Sequence, residues 1–256
     1  MKVDHVRNEL YELFARYPRA LEIFRKFEMD PAVETLQNLA NNFAINRMGY
    51  NDHGRTHAYI VARNTLKILN ILSEANIQPN IVREGLGDLQ DVATVVTVAG
   101  FLHDIGNAVH RENHHIHSLI LAEPILRKHL QSTKNKYVLL TSILEAIYAH
   151  ESARAVSIEA SIVKVADGMD MEEGRARIPY NMGKFDIHAV SALSIKHVDV
   201  VRGSDRPLRI IVNMEHTAGL FQVEKVLGEK IRRSALSEQV EVVIRIPHMG
   251  EKVLYF

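Results

Sequence analysis

The residue types best suited to chemistry in this chain are histidine and aspartate, and two of them, His103 and Asp104, are adjacent. They directly follow an apolar run at residues 92–102. Further side chains of the same ligand types lie before and after them: His57, His117, His150 and Asp167. Imidazole and carboxylate suit Mn, Fe, Co, Ni or Zn, and the absence of cysteine excludes a thiolate site. These residues predict metal-dependent chemistry.

The distribution of the histidines supports this prediction. The chain has fourteen histidines in 256 residues, and nine of them fall between positions 53 and 150. Three histidines are expected to be scattered and solvated: His5, His129 and His248.

The overall charge gives no sign of a nucleic-acid or membrane partner, because 31 basic residues balance 31 acidic ones. A small nucleotide needs only a local basic pocket. The N-terminal segment carries Asp4 and Glu9 and has no uninterrupted apolar core, so it does not resemble a secretory signal. The run 92–102 is too short to span a bilayer. A cytoplasmic location is expected.

The first 185 or so residues predict a series of consecutive helices. Apolar residues recur at helical spacing, and Pro31 opens one of these helices. A loop is expected at 46–54, and a helix follows from Arg55. Further helices are expected over 92–102, 119–130, 137–149 and 158–171. The ligand-type residues therefore lie at or near helix ends.

The pattern changes near residue 190. Apolar residues alternate over 208–214 and 240–246, which predicts half-buried strands, and 194–201 is expected to be an earlier strand. Thr217 can cap a helix between the strands. We therefore predict a helical domain over 1–185 and a small α+β (ββαβ) unit over 190–256. This unit could mediate dimerisation, bind a regulatory ligand or cover the helical core.

Three motifs together resemble the HD-domain superfamily of metal-dependent phosphohydrolases. They are Arg55-Thr56-His57 at a helix start, His103-Asp104-Ile105-Gly106 after an apolar helix, and Asp167 in a third apolar helix. The superfamily pattern is H…HD…D on an all-helical scaffold, and the resemblance covers roughly residues 45 to 180. It implies a mainly α fold, an HD-domain helical bundle followed by the small C-terminal α+β unit.

Other stretches resemble subgroups that hold two metals. Residues 117–123 and 146–151 are similar to two helices of HD-GYP cyclic-dinucleotide phosphodiesterases. Residues 164–167, with Arg175, resemble the K-x-A-D…R pattern of HD-type symmetrical dinucleoside-tetraphosphatases. The Gly-Tyr-Pro signature is absent after Glu151, which argues against cyclic di-GMP as the substrate.

The resemblance implies a role for each ligand-type residue. The first metal would be held by His57, His103, Asp104 and Asp167. Asp104 would bridge to a second metal, which His117 and His150 complete. A metal-bound hydroxide would attack phosphorus, with Asp104 and His103 as the catalytic residues. The expected cofactor is a divalent transition metal, two per chain, drawn from Mn, Fe, Co, Ni and Zn.

The choice of His117 has competitors. His114 and His115 lie beside it, and His114 and His117 are one helical turn apart, so both can face the same cleft. We prefer His117 because Ala122 and Glu123 match the family helix from that register.

Contacts to the substrate are expected from residues near these motifs. His53 lies in the loop before His57 and is a candidate to touch substrate or to support a ligand. Asn107 stands where phosphodiesterase relatives often have Lys, and His110 or Arg111 could replace that charge. Arg175 is either a phosphate contact or a solvated helix end. Nearby acidic residues are expected to pair or stay solvated: Asp170, Glu172 and Glu173.

The predicted function is hydrolysis of a phosphate ester or anhydride in a nucleotide-like substrate. One alternative is an HD-type di-iron oxygenase, whose ligand set is also four His and two Asp. The other is a non-catalytic, metal-stabilised regulatory protein. The expected partner is a small phosphorylated molecule, and a homodimer is possible.

Overall fold

A computed structural model describes residues 2–151, 154–172, 187–247 and 249–256, and within them helices come first. The helices are α1 Lys2–Leu13, α2 Pro18–Glu28, α3 Pro31–Asn42, α4 Arg55–Glu74, α5 Asn80–Arg83, α6 Leu89–Leu102, α7 His114–Leu130, α8 Lys136–Ala149, α9 Ile158–Gly168 and α10 Ile187–Leu193. A π-helical turn, Phe43–Arg47, follows α3, and a 3-10 turn, Ile105–Ala108, follows α6. Among the described helices, none combines the length and hydrophobicity needed to cross a membrane.

Helix α6 is the centre of the helical part. Asp88 and Asp91 form a capping box at its start, in which each side chain accepts a hydrogen bond from the other residue's backbone amide. Every residue from Asp91 to Leu102 is buried. A helix that is apolar on all sides must be enclosed by others, and α2, α4, α8 and α9 pack around it. His103 and Asp104, which follow α6 directly, therefore lie at the end of a helix that is held in the core.

The C-terminal part contains a four-stranded sheet among the described residues. Its strands are β1 Ile195–Arg202, β2 Leu208–Met214, β3 Val240–Ile246 and β4 Gly250–Leu254, in that spatial order. The pair β2–β3 is parallel, whereas β1–β2 and β3–β4 are antiparallel. Parallel neighbours need a crossover, which here includes helical residues 220–232, named α11. The mainly α fold with a C-terminal α+β unit is confirmed, with β4 as an additional strand.

The helical and sheet parts share one hydrophobic core. Buried residues of β1 to β3 and of α11 belong to the same apolar cluster as those of α4, α6 and α9. The Lys67 ammonium on α4 also lies 2.8 Å from Asp199 Oδ1 on β1. The expected boundary near 185–190 adjoins residues 173–186, which lie outside the described part, and the division into two domains stays a prediction.

Candidate metal centre

Histidine and aspartate side chains from five helices and one loop converge beneath the surface. His53 comes from the loop before α4, and His57 lies in the first turn of α4. His103 and Asp104 follow α6 directly. The cluster is completed by residues at the start of α7, the end of α8 and the last turn of α9: His114, His150 and Asp167. Each of these side chains is at most 10% exposed.

The turn after α6 brings α7 against the His-Asp pair. A Cβ atom on Gly106 would overlap the carbonyl oxygen of His114 and the amide nitrogen of Ser118. The Ser118 hydroxyl donates to the His103 carbonyl (2.6 Å) and accepts from the Gly106 amide (2.8 Å). Glycine at position 106 is thus required for the close approach of α7 to the turn after α6. This approach brings His114 near Asp104.

Asp104 lies between two groups of imidazoles. Its Oδ2 is 2.6 Å from His53 Nδ1 and 3.4 Å from the Nε2 atoms of His57 and His103. Its Oδ1 is 3.3 Å from His114 Nε2 and 3.8 Å from His150 Nε2. The Asn107 amide also donates to Oδ1 (2.9 Å). One carboxylate therefore faces two candidate ligand sets, with one oxygen toward each.

The ring nitrogens that face away from the cluster fix the tautomers of three histidines. The Nδ1 atoms of His103, His114 and His150 each lie against a backbone carbonyl oxygen and must donate to it. The acceptors are the carbonyls of Gly100, Arg111 and Ile147, at 2.8, 3.0 and 2.6 Å respectively. A neutral imidazole with its proton on Nδ1 presents a lone pair on Nε2. These Nε2 atoms point into the cluster.

The inward-facing nitrogens fit a cation. His57 Nε2 and His103 Nε2 are 3.1 Å apart, and so are His114 Nε2 and His150 Nε2. Two lone pairs at such a distance repel each other unless a proton or a metal ion lies between them. Backbone-oriented imidazoles together with carboxylates form the usual donor set for divalent transition metals. The described residues therefore suit the predicted metal.

Electrostatics agree with this fit. Burial raises the pKa of the Asp104 carboxyl, but the positive charges of His103 and His53 hold it well below its ordinary value. Burial lowers the pKa of the His103 ring, whereas Asp104 and Asp167 raise it, to about 8 in the absence of metal. Burial and the neighbouring His103 and His114 keep the pKa of His150 well below its ordinary value. Without a metal ion, a proton on His103 neutralises part of the carboxylate charge.

Two functional contacts were not predicted from the sequence. Asp170 Oδ2 lies 2.6 Å from His57 Nδ1, so this acidic residue pairs with a candidate ligand. Lys230 of α11 places its Nζ 2.6 Å from Asp167 Oδ2. Asp170 lies only three residues after Asp167, which is a usable signal. Lys230 lies 63 residues away in a helix recognisable only by its apolar stripe, and nothing in the sequence marks it.

The structure places one expected ligand differently from the sequence pattern. The structure brings His114 into the cluster, where the sequence pattern favours His117. Helix α7 begins at His114, and helical side chains lean toward the N-terminus, so the first residue is the one that reaches the His-Asp turn. His117, one turn later, is half-buried and belongs to none of the described groups able to hold a metal.

The residues expected to contact the substrate differ in their distance from the cluster. Arg111 lies at the rim, with a guanidinium nitrogen 3.3 Å from His114 Nε2. His53 lies inside the cluster. His110 is exposed, packs against the Phe43 ring, and makes no described contact with the cluster. Arg175 falls outside the described residues.

Comparison with known proteins agrees with the geometry. The family model for the HD domain matches residues 54–172, which hold the cluster except for His53. The chain is also 42% identical over 229 residues to the uncharacterized protein MJ1020 of Methanocaldococcus jannaschii, and the match covers 88% of each chain. HD domains bind divalent metals and imply hydrolase chemistry. The chain belongs to the HD-domain superfamily.

Proposed function

We propose that this protein is a metal-dependent phosphohydrolase that cleaves a phosphate ester or anhydride in a nucleotide-like substrate. The observation that carries the proposal is the position of Asp104 between two sets of inward-facing imidazole nitrogens. A carboxylate placed between two such sets would suit a binuclear centre, and a binuclear centre would favour in-line displacement at phosphorus.

The described residues divide between two proposed sites that share Asp104. The first site would use His57, His103, Asp104 and Asp167. The second would use Asp104, His114 and His150. When bound there, divalent cations supply Lewis-acid stabilisation of phosphate charge and lower the pKa of water. His53 holds Asp104 Oδ2, and Asn107 holds Oδ1, so both oxygens keep their directions.

Arg111 is the proposed phosphate contact at the rim. Its side chain is 27% exposed, and its guanidinium contacts Asn107 Oδ1 (3.3 Å) as well as His114. A planar guanidinium pairs well with phosphate oxygens. Arg111 would supply the positive charge that phosphodiesterase relatives often have as a lysine at the position of Asn107. Arg175 remains a second proposed phosphate contact.

A nucleotide-like substrate is supported by the resemblance of residues 164–167 to dinucleoside-tetraphosphatases and by one aromatic residue. The ring of Tyr50 is 39% exposed and lies 5.9 Å from the Arg111 guanidinium carbon. An exposed ring beside a phosphate-binding arginine offers a surface on which a base can stack. Substitution of Tyr50 by alanine should then raise KM more than it lowers kcat.

The test compares His114→Ala with His117→Ala. We expect elemental analysis to find two metals per chain in the wild type and in His117→Ala, and about one in His114→Ala. We expect phosphate release from a panel of nucleotides, with Mn²⁺ or Co²⁺ added, to fall at least a hundredfold in His114→Ala alone.

Other results would point elsewhere. Loss of one metal from His117→Ala and not from His114→Ala would overturn the proposed second site. Oxygen consumption by the iron-loaded protein, without phosphate release under any metal, would replace hydrolysis by oxygenase chemistry.

A further inference from the structure

We propose that Lys230 is a positioning residue that restricts Asp167 to binding metal through one oxygen. The inference rests on the metal centre of the proposed function. It gives the C-terminal α+β unit a part in the chemistry, because Lys230 lies on α11 between two strands of the sheet.

The two oxygens of Asp167 have different neighbours. Oδ2 accepts a hydrogen bond from Lys230 Nζ at 2.6 Å. Oδ1 faces the cluster, 3.2 Å from His57 Nε2 and 3.6 Å from His103 Nε2. A charge-assisted hydrogen bond of this length is among the stronger ones in proteins. Only Oδ1 is therefore directed toward the first metal position.

The surroundings of Lys230 favour this geometry. Its side chain is 14% exposed, and a burial cost opposes its charge. The Asp167 and Glu151 carboxylates outweigh that cost and raise the pKa of the ammonium, so it is charged at neutral pH. A Cβ atom on Gly168 would lie 3.0 Å from Lys230 Cδ, so glycine after Asp167 leaves room for the lysine stem.

Lys230 also contacts the second ligand set. Its Nζ donates to the His150 carbonyl oxygen at 2.8 Å. Lys164 of α9 donates to the neighbouring carbonyls of Ala149 (2.7 Å) and Glu151 (2.6 Å). These carbonyls end α8, where the helix dipole favours cations. One ammonium thus supports Asp167 and the backbone of His150 together.

A purely structural ion pair is the competing interpretation. In that case Lys230 would only stabilise the packing of α11 against α9. Its loss would lower the free energy of unfolding without changing the coordination of the metal. A spectroscopic measurement separates the two cases. If Lys230 is removed, Asp167 Oδ2 is free to join Oδ1 at the cation, which adds a ligand to the first site.

The experiment uses the full chain loaded with Co²⁺, whose visible absorption weakens as its coordination number rises. We expect Lys230→Met to show a marked loss of visible absorption per bound cobalt. We expect Lys230→Arg, which keeps the charge and the donors, to match the wild type. Lys225→Met, on the exposed side of the same helical segment, is the matched control.

The stability of the metal-free variants is measured in urea alongside the spectra. An unchanged cobalt spectrum in folded Lys230→Met would overturn the inference, whatever happens to its stability. If Lys230→Met does not fold, Lys230→Ala, which also loses the charge and every donor, is judged by the same spectral criterion.

The two proposals fail in different ways. If the wild type binds cobalt but releases no phosphate from nucleotides, the proposed function fails and the spectral comparison still stands. If the wild type hydrolyses nucleotides and Lys230→Met keeps the wild-type spectrum, only the role of Lys230 fails.

Discussion

At the scale of single residues, Asp170 controls the orientation of a proposed ligand. Its carboxylate lies 2.6 Å from His57 Nδ1, and it is buried. A carboxylate partner of this kind holds the proton on Nδ1, aims Nε2 at the metal and makes that nitrogen a better donor. Asp170 would thus act on a bound metal through His57.

Replacement of Asp170 by asparagine should weaken metal binding. We expect a loss of roughly 10- to 100-fold in affinity, because the amide cannot provide the same charge to His57. Competition with a coloured chelator measures the affinity. Glu172→Gln is the control, since Glu172 contacts His197 and the Val198 amide outside the cluster. Equal affinities in the wild type and Asp170→Asn would contradict the assignment.

The sequence identifies some site residues better than others. His103 and Asp104 are recognisable because they are adjacent and end an apolar helix. His114 and His117 share a helix face, so periodicity alone does not choose between them, and the start of α7 decides. Lys230 reaches Asp167 through tertiary packing across 63 residues, which no local pattern encodes.

At the scale of secondary structure, Asp30 links the start of α3 to the end of α7. Its Oδ1 accepts from the Ala32 amide as an N-cap, and its Oδ2 contacts Lys128 and His129. His129, expected to be solvated, is instead packed against Phe27. Burial raises the pKa of Asp30, but these hydrogen bonds outweigh it and lower the pKa to about 2.

This lowered pKa predicts how stability depends on pH. The folded-state pKa lies below the ordinary value of 3.8, so the stabilisation is present at neutral pH and is lost as pH falls from about 4 toward 2. The difference corresponds to about 2 kcal/mol. Urea unfolding should show Asp30→Asn less stable than the wild type by about that amount at pH 7. The gap should close near pH 2; a gap that is constant with pH would contradict the prediction.

The elements also differ in how well the sequence predicts them. Helix α6 and strands β2 and β3 are apolar runs or alternations that show their type directly. Strand β4 has exposed residues along most of its length, so it has no alternating apolar pattern to reveal it. Its strand character comes from backbone pairing with β3, which depends on the rest of the sheet.

At the scale of the whole molecule, the shared core and the ligand set predict that metal stabilises the entire chain. The proposed ligands come from several helices, so metal binds the folded state and not the unfolded chain. At a free metal concentration 100 times Kd, the gain is about 2.7 kcal/mol.

Removal of metal by a chelator should therefore lower Tm, and re-addition should restore it. Because the helices and the sheet share one core, we expect far-UV circular dichroism and tyrosine fluorescence to change at the same temperature with and without metal. Two separate transitions would show that the α+β unit unfolds independently. An unchanged Tm would show that metal does not stabilise the fold.

The parallel pairing of β2 and β3 has a consequence for the order of events during folding. The chain between them, which carries Lys230, must traverse the sheet before β3 can pair, and such non-local closure is slow. The helices that hold His57, His103 and His150 form from nearby segments and can assemble sooner. We therefore expect the histidine cluster to assemble first and the contact of Lys230 with Asp167 to form last. Only chains that have completed the crossover between β2 and β3 would then hold the metal with its full set of contacts.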